Sequence, residues 1–261
     1  MNQSIALGSA EIHLWLADYD DIVEEPLHMA YRRLLSHEER AQEPKFYFER
    51  DRRRYLVTRA LVRTVLSRYF PVDPKDWIFE ANAYGRPYAA NPRAKDAGLS
   101  FNISHTHSMI VLGVTAGRAL GVDVENFRAR EISMGMADRY FSPLEAGELA
   151  RAPSHRQQYR FFEYWTFKEA YIKARGMGLQ LPLDKFSFNY PDDARVEIAI
   201  DRELADDPAR WRFWQLRPAA DYLLAVCAER LDGPAPALIV RQAVPLSGEK
   251  TLALEFLRAS E

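Results

Sequence analysis

The sequence predicts an α+β fold, and two observations predict it. Apolar runs of strand length recur from Glu11 to Val124 and again from Phe186 to Glu229. Between them stand two long segments of helical periodicity, around Tyr47–Phe70 and Tyr159–Gly178. A third observation bears on organisation. Arg59-Ala-Leu-Val-Arg63 and Glu169-Ala-Tyr-Ile-Lys173 each fall late in a long helix that strands follow. Chance accounts for a match this short; the alternative is two similar α/β halves facing each other.

Composition bounds the rest. The chain has 261 residues, 48% of them hydrophobic, which suffices for one large domain or two smaller ones. A net charge of −2 selects no partner by its global field, so an anionic ligand needs a local basic patch. The single cysteine, Cys227, excludes an internal disulfide framework and reads as a buried packing residue. The N-terminal MNQSIALGSAEIHLW lacks a charged start and a sufficient apolar core for a signal peptide. No apolar run approaches the ~20 residues of a membrane span. A soluble cytoplasmic protein is the expectation.

In chain order, EIHLWLA (Glu11–Ala17) alternates as a half-buried strand, with His13 on its outward, solvated face. Ser36 and Glu39 form a capping-box pattern that starts a short helix ending near Pro44. The helix around Tyr47–Phe70 carries an apolar stripe (Leu56, Ala60, Leu61, Val65, Leu66) and many arginines. Arg52, Arg59 and Arg63, spaced seven and four, share one face, either solvated or shaped to bind phosphate. Pro71 and Pro74 close it, and Trp77–Phe79 is a short strand before the breaker-rich loop Ala83–Pro92. LSFNIS (Leu99–Ser104), MIVLGVT (Met109–Thr115) and Leu120–Val124 are strands. Ser142, Pro143 and Glu145 open a helix, and the helix of Tyr159–Gly178 ends at Gly176. FSFNY, VEIAI, WRFWQLRP and DYLLAVCAE suggest a small antiparallel sheet. The tail offers a strand (Leu238–Arg241) and a weak helix (Leu252–Leu257).

Three constellations can carry chemistry. Asp123 and Glu125 are two apart on a strand, so both carboxylates project to one side. Like charges so close repel unless a cation intervenes, and oxygen donors of this kind suit Mg²⁺. Alone, the pair is also what a solvated strand end looks like. Glu169 and Lys173 are four apart on a helix, the spacing of a plain salt bridge. Phe161, Phe162, Trp165 and Tyr171 crowd that helix and favour a cleft instead. Ser104 and His105 end a strand with two hydrogen-bonding groups that can meet a phosphate oxygen; singly each reads as structural or solvated. His107 is unsupported as a ligand, and His105, His107 and Cys227 have no zinc spacing.

Together these motifs resemble the Sfp-type 4′-phosphopantetheinyl transferases. GVDVE (Gly121–Glu125) and WTFKEAYIK (Trp165–Lys173) look like the family signature. FNISH (Phe101–His105), GRP (Gly85–Pro87), GMGLQLPLDKFSF (Gly176–Phe188) and FYFERDRRRYLVTRALVR (Phe46–Arg63) support it in order, over residues 10 to 230. The resemblance implies a fold of two similar α/β halves, here 1–118 and 119–261, related by a pseudo-two-fold axis with the active site between them. It implies a cytoplasmic, Mg²⁺-dependent transferase of fatty acid, polyketide or nonribosomal peptide biosynthesis. Such an enzyme moves the phosphopantetheine arm of coenzyme A to a carrier-protein serine and releases adenosine 3′,5′-bisphosphate. By similarity, Asp123, Glu125 and Glu169 hold the metal. Glu169 or a water beside it is the base, and Lys173 meets the pyrophosphate, with Lys168 as a second family lysine. Ser104, His105, Tyr84, Gly85 and Arg86 meet the nucleotide. The sequence departs from the family where Glu39 and Gln42 replace residues that are often basic, and where Arg86 replaces a commoner lysine. The 3′-phosphate clamp is then expected from Arg40, Lys45, Arg54 or Arg59. The resemblance implies a monomer, no nucleic acid and no membrane. Two other readings compete: a nucleic-acid binder using Arg52, Arg59 and Arg63, and a metal-dependent phosphoesterase using the same carboxylates. The carrier itself is not legible.

Overall fold

The computed structural model describes residues 4–8, 10–132 and 134–261. Of the N-terminal stretch weighed above as a leader, Met1–Gln3 and Ser9 therefore lie outside the described residues. In chain order the strands are β1 (Glu11–Asp18), β2 (Phe79–Ala81), β3 (Pro87–Ala89), β4 (Leu99–His105), β5 (Met109–Ala116), β6 (Leu120–Asn126), β7 (Phe186–Asn189), β8 (Glu197–Ile200), β9 (Trp211–Arg217), β10 (Tyr222–Glu229), β11 (Ala237–Val244), β12 (Gly248–Leu252) and β13 (Glu255–Ala259). The helices are α1 (Glu25–Leu34), α2 (His37–Gln42), α3 (Glu49–Leu66), α4 (Pro92–Asp96), α5 (Met134–Tyr140), α6 (Pro143–Arg151) and α7 (Ser154–Arg175). The fold is α+β.

Contacts divide the chain into two units. The first comprises Met1–Ala81, Pro87–Gly117 and Pro234–Ala253; the second comprises Asn82–Arg86, Arg118–Gly233 and Leu254–Glu261. The first is built on a five-stranded sheet of order β12-β11-β1-β5-β4, antiparallel except where β1 runs parallel to β11. The alternating and apolar runs of β1 and β5 pair from His13–Val114 to Asp18–Met109, and α3 packs its Leu56, Val57, Ala60, Leu61 and Val65 into the same core. The second unit has a four-stranded antiparallel sheet of order β13-β9-β10-β6, and α7 brings Phe161, Phe162, Phe167, Tyr171 and Ile172 into its core with Phe213, Leu223 and Ala225.

Internally the two units repeat one plan. In each, a strand leads to a long helix, then a two-stranded hairpin, then two strands that complete the sheet. The first runs β1, α3, β2–β3, β4, β5 with sheet order β1-β5-β4; the second runs β6, α7, β7–β8, β9, β10 with order β6-β10-β9. The echo between α3 and α7 therefore falls on topologically equivalent helices. The capping box expected at Ser36 and Glu39 forms, and a second one forms between Ser142 and Glu145. Each box glutamate has a second partner. Glu39 binds Arg63 of α3, and Glu145 binds Lys168 of α7.

Three expectations are corrected. His13 is buried, because β1 is flanked by strands on both edges and its second face is covered too. Its ring bonds Tyr69 Oη at 2.7 Å and Glu11 Oε2 at 3.1 Å. The tail over Leu252–Leu257 is not helical: it joins the end of β12 to β13, and backbone pairing to β11 and β9 outweighs a weak helical pattern. Arg63 leaves the face it was expected to share with Arg52 and Arg59. It is buried, with Nη2 2.7 Å from Glu39 and Nη1 donating to the carbonyls of Pro74 (3.0 Å) and Trp77 (3.1 Å). That removes a cation from the surface the nucleic-acid reading needs.

Candidate active site

The site in the second unit is built where α7 lies against β6. The contact is closest at Gly121: a Cβ there would stand 2.0 Å from the Ala170 carbonyl oxygen and 2.5 Å from the Ala174 amide nitrogen. Only glycine admits the helix backbone so near the strand. Two residues on, the same strand presents Asp123, which is nearly fully buried. The close approach sets Asp123 beside the turns of α7 that carry Glu169 and Lys173. Lys173 Nζ donates to Asp123 Oδ1 at 2.7 Å and to the Val122 carbonyl at 3.1 Å. The Glu169 carboxyl is pushed up to about 7, chiefly by burial and then by the Asp123 charge, with Lys173 opposing. Two carboxylates and one ammonium thus share a poorly solvated space. Glu125, next on the same strand face, pairs with Arg130 at 3.6 Å.

The end of α7 is held by the loop Asn82–Arg86. Gly176 terminates the helix in the left-handed conformation, φ 66°, which glycine adopts without strain. Asn82 Nδ2 donates to the Gly176 carbonyl at 2.9 Å. Arg86 Nη1 donates to the carbonyls of Lys173 and Ala174, and Nη2 to that of Leu120, each at 2.9 Å. One guanidinium therefore ties the last turn of α7 to the start of β6. Helix C-termini leave such carbonyls without intrahelical donors, and a cation there also suits the dipole.

Lys168 is separate from this chemistry. It is fully buried, with Nζ 2.8 Å from Glu145 Oε2 and 2.7 Å from the carbonyls of both Leu183 and Phe186. An ammonium has three donors, so three such partners satisfy it. Burial pushes its pKa down and Glu145 pulls it up. Glu145 in turn accepts from the amides of Ser142 and Phe188 at 2.9 Å each. This is a core ion pair, and the assignment of Lys168 to coenzyme A is corrected on that ground.

Two family models match the chain. One, described as the 4′-phosphopantetheinyl transferase superfamily, covers residues 119–227; the other, 4′-phosphopantetheinyl transferase N-terminal, covers 24–116. The 4′-phosphopantetheinyl transferase ffp of Bacillus subtilis is 34% identical over 201 residues, spanning 77% of this chain and 84% of its own. Sfp of Bacillus subtilis is 35% identical over 202 residues, with coverage of 77% and 84%. HetI of a Nostoc species is 35% identical over 176 residues, with coverage of 67% and 73%.

This chain belongs to the 4′-phosphopantetheinyl transferase family.

The remaining family positions fall as follows. In the first unit, Ser104 is buried and His105 exposed at the end of β4. Arg54 pairs with Asp51 at 3.0 Å, and Arg59 lies 3.8 Å from Glu39 with its guanidinium over the Tyr55 ring. Tyr84 and Gly85 are exposed in the loop that holds α7. Arg86, expected at the nucleotide, is instead spent on backbone carbonyls of its own unit. Asn82 and Glu145 were missed. Asn82 was detectable as the residue opening an Asn-x-x-Gly-Arg turn. Glu145 was recognised only as a cap, because nothing in sequence pairs it with Lys168. Trp165 packs on its own helix, stacked on Phe161 with ring centres 5.9 Å apart.

Proposed function

We propose that this enzyme transfers the 4′-phosphopantetheine arm of coenzyme A to a serine hydroxyl of an acyl or peptidyl carrier protein. The serine oxygen attacks the phosphorus that carries pantetheine, the pyrophosphate linkage breaks, and adenosine 3′,5′-bisphosphate leaves. Family membership supports the reaction class. The observation that carries the site is the Asp123–Glu169–Lys173 cluster beside Gly121, with Asp123 buried and the other two partly exposed.

The donor set fits Mg²⁺. Asp123, Glu125 and Glu169 would hold it, all hard oxygen donors. Among the described residues no three His, Cys, Asp or Glu side chains form a ready metal cage. That suits an ion which completes its shell with water and substrate phosphate. Burial, and then the Asp123 charge, raise the Glu169 carboxyl, as expected where carboxylates crowd a poorly solvated space. When bound, Mg²⁺ would neutralise charge on the phosphoryl group under attack.

The chain's own residues do the rest. Lys173 brings a positive charge to the pyrophosphate end. Glu169, or a water held beside it, is the proposed base for the serine hydroxyl. Ser104 and His105 are the proposed contacts for the nucleotide end. Arg86 keeps α7 against β6 and so preserves the spacing of Lys173 and Asp123.

The test is incubation of apo-carrier proteins with the enzyme, coenzyme A and Mg²⁺, followed by mass spectrometry. The expected result is a carrier heavier by one phosphopantetheine. No gain on fatty-acid, polyketide or peptide carriers would overturn the proposal. Coenzyme A hydrolysis without any carrier would favour a phosphoesterase.

A further inference from the structure

A second basic site stands at the corner between α6 and α7, formed by other residues than those above. A cavity of about 330 Å³ opens there, lined by Glu148, Arg151, Pro153, Arg156, Arg160 and Tyr190 among others. Three guanidinium groups face one carboxylate, and that carboxylate already accepts from the Tyr164 hydroxyl. Arg160 is 3.2 Å from Glu163, and its guanidinium lies 4.9 Å from the centre of the Tyr190 ring. Arg151 and Arg156 have no hydrogen bond or ion pair to a carboxylate among the described residues.

Local electrostatics favour an anion here. Arg156 and Arg160 are four apart on one helix, where like charges repel. Arg156 also sits in the first turn of α7, at the positive end of the helix dipole. No acid occupies that turn, and Pro153 at the cap position supplies no side-chain hydrogen bond. The Tyr190 hydroxyl is buried and lacks a hydrogen-bond partner among the described residues. Its ring lines the same cavity.

We infer that this cavity binds a small phosphate-bearing anion, a phosphomonoester or pyrophosphate group, gripped by Arg151 and Arg156 with Arg160 behind them. Guanidinium forks match pairs of phosphate oxygens in geometry and charge. The cavity volume suits a small molecule. The inference does not depend on the transfer reaction.

Equilibrium dialysis with labelled pyrophosphate, without magnesium, tests it. Lys173→Ala serves as the background, which weakens any binding at the carboxylate cluster. Saturable binding is expected to persist in that background. Adding Arg151→Gln and Arg156→Gln together should weaken it by about tenfold or more. Both arginines are exposed, so the circular dichroism spectrum should not change. Loss of all saturable binding in Lys173→Ala alone would overturn the inference. So would unchanged affinity in the combined variant. If the arginine pair instead raised only the KM for an acidic carrier protein, the patch would be a docking surface and the inference would fall.

Discussion

The two units share a plan and differ in what they expose. Each long helix carries a basic residue that is buried on the glutamate of a capping box, Arg63 on Glu39 in the first unit and Lys168 on Glu145 in the second. In the first unit that cation is the late-helix residue itself. In the second, α7 adds Glu169 and Lys173 on a different side, beside the carboxylate of β6. The sequence echo aligns Arg63 with Lys173, yet Arg63 has the role of Lys168. Equivalent topology therefore does not mean equivalent chemistry. One lysine of Lys168-Glu169-Ala-Tyr-Ile-Lys173 holds the core, and the other pairs with Asp123 of β6.

That contrast can be broken experimentally. The largest effect is expected at the carboxylates. Asp123→Ala should lower transfer by on the order of a thousandfold, since a metal clamp supplies several kcal/mol of charge stabilisation. Its thermal unfolding should stay cooperative. Near wild-type turnover would remove Asp123 from the site. The two lysines come next. Lys168→Ala leaves Glu145 buried without its cation and should cost about 3–5 kcal/mol of stability, read by urea unfolding. Lys173→Ala, at a partly exposed lysine, should cost less stability than Lys168→Ala and reduce turnover. The opposite pattern would reverse the two assignments. Arg63→Ala should behave like Lys168→Ala, with a loss of similar size in the first unit.

Gly121→Ala follows. The added methyl meets helix backbone, which cannot rotate aside, so about 1–3 kcal/mol is expected together with a loss of turnover as α7 is displaced. The smallest effect is at His13, where pH sharpens the comparison because the second unit's core has no histidine in its place. Burial holds the His13 imidazolium below its ordinary value of 6.5, Glu11 opposes that, and Arg241 adds to it. As pH falls through 6.5 the unfolded chain takes up a proton that the folded chain refuses. Stability should therefore be intact above 6.5 and decline below it until the folded value is passed. His13→Gln should flatten that part of the melting-temperature profile.

Much of this was legible in the residues. The runs Glu11–Ala17, Met109–Thr115 and DYLLAVCAE became strands nearly to the residue, because apolar runs of that length are buried in the sheets. The capping box at Ser36 and Glu39 was legible because its partners are three residues apart, and Ser142 was legible as an N-cap. GVDVE and the Lys-Glu helix identified the carboxylate cluster. What escaped was long-range. A buried His13 depends on β11, which joins β1 from the far end of the chain. Lys168 and Arg63 look like surface cations until a distant glutamate and several carbonyls close over them. Arg86 read as a phosphate ligand, and only the approach of α7 to β6 turned it to their carbonyls.

The most direct test of the central claim is binding of a divalent ion at this cluster. Mn²⁺ can replace Mg²⁺ and be followed by electron paramagnetic resonance, with coenzyme A present to complete the shell. One saturable site is predicted in the wild-type enzyme, absent from Asp123→Ala and retained in Arg63→Lys. Equal Mn²⁺ binding by the wild type and Asp123→Ala would contradict it.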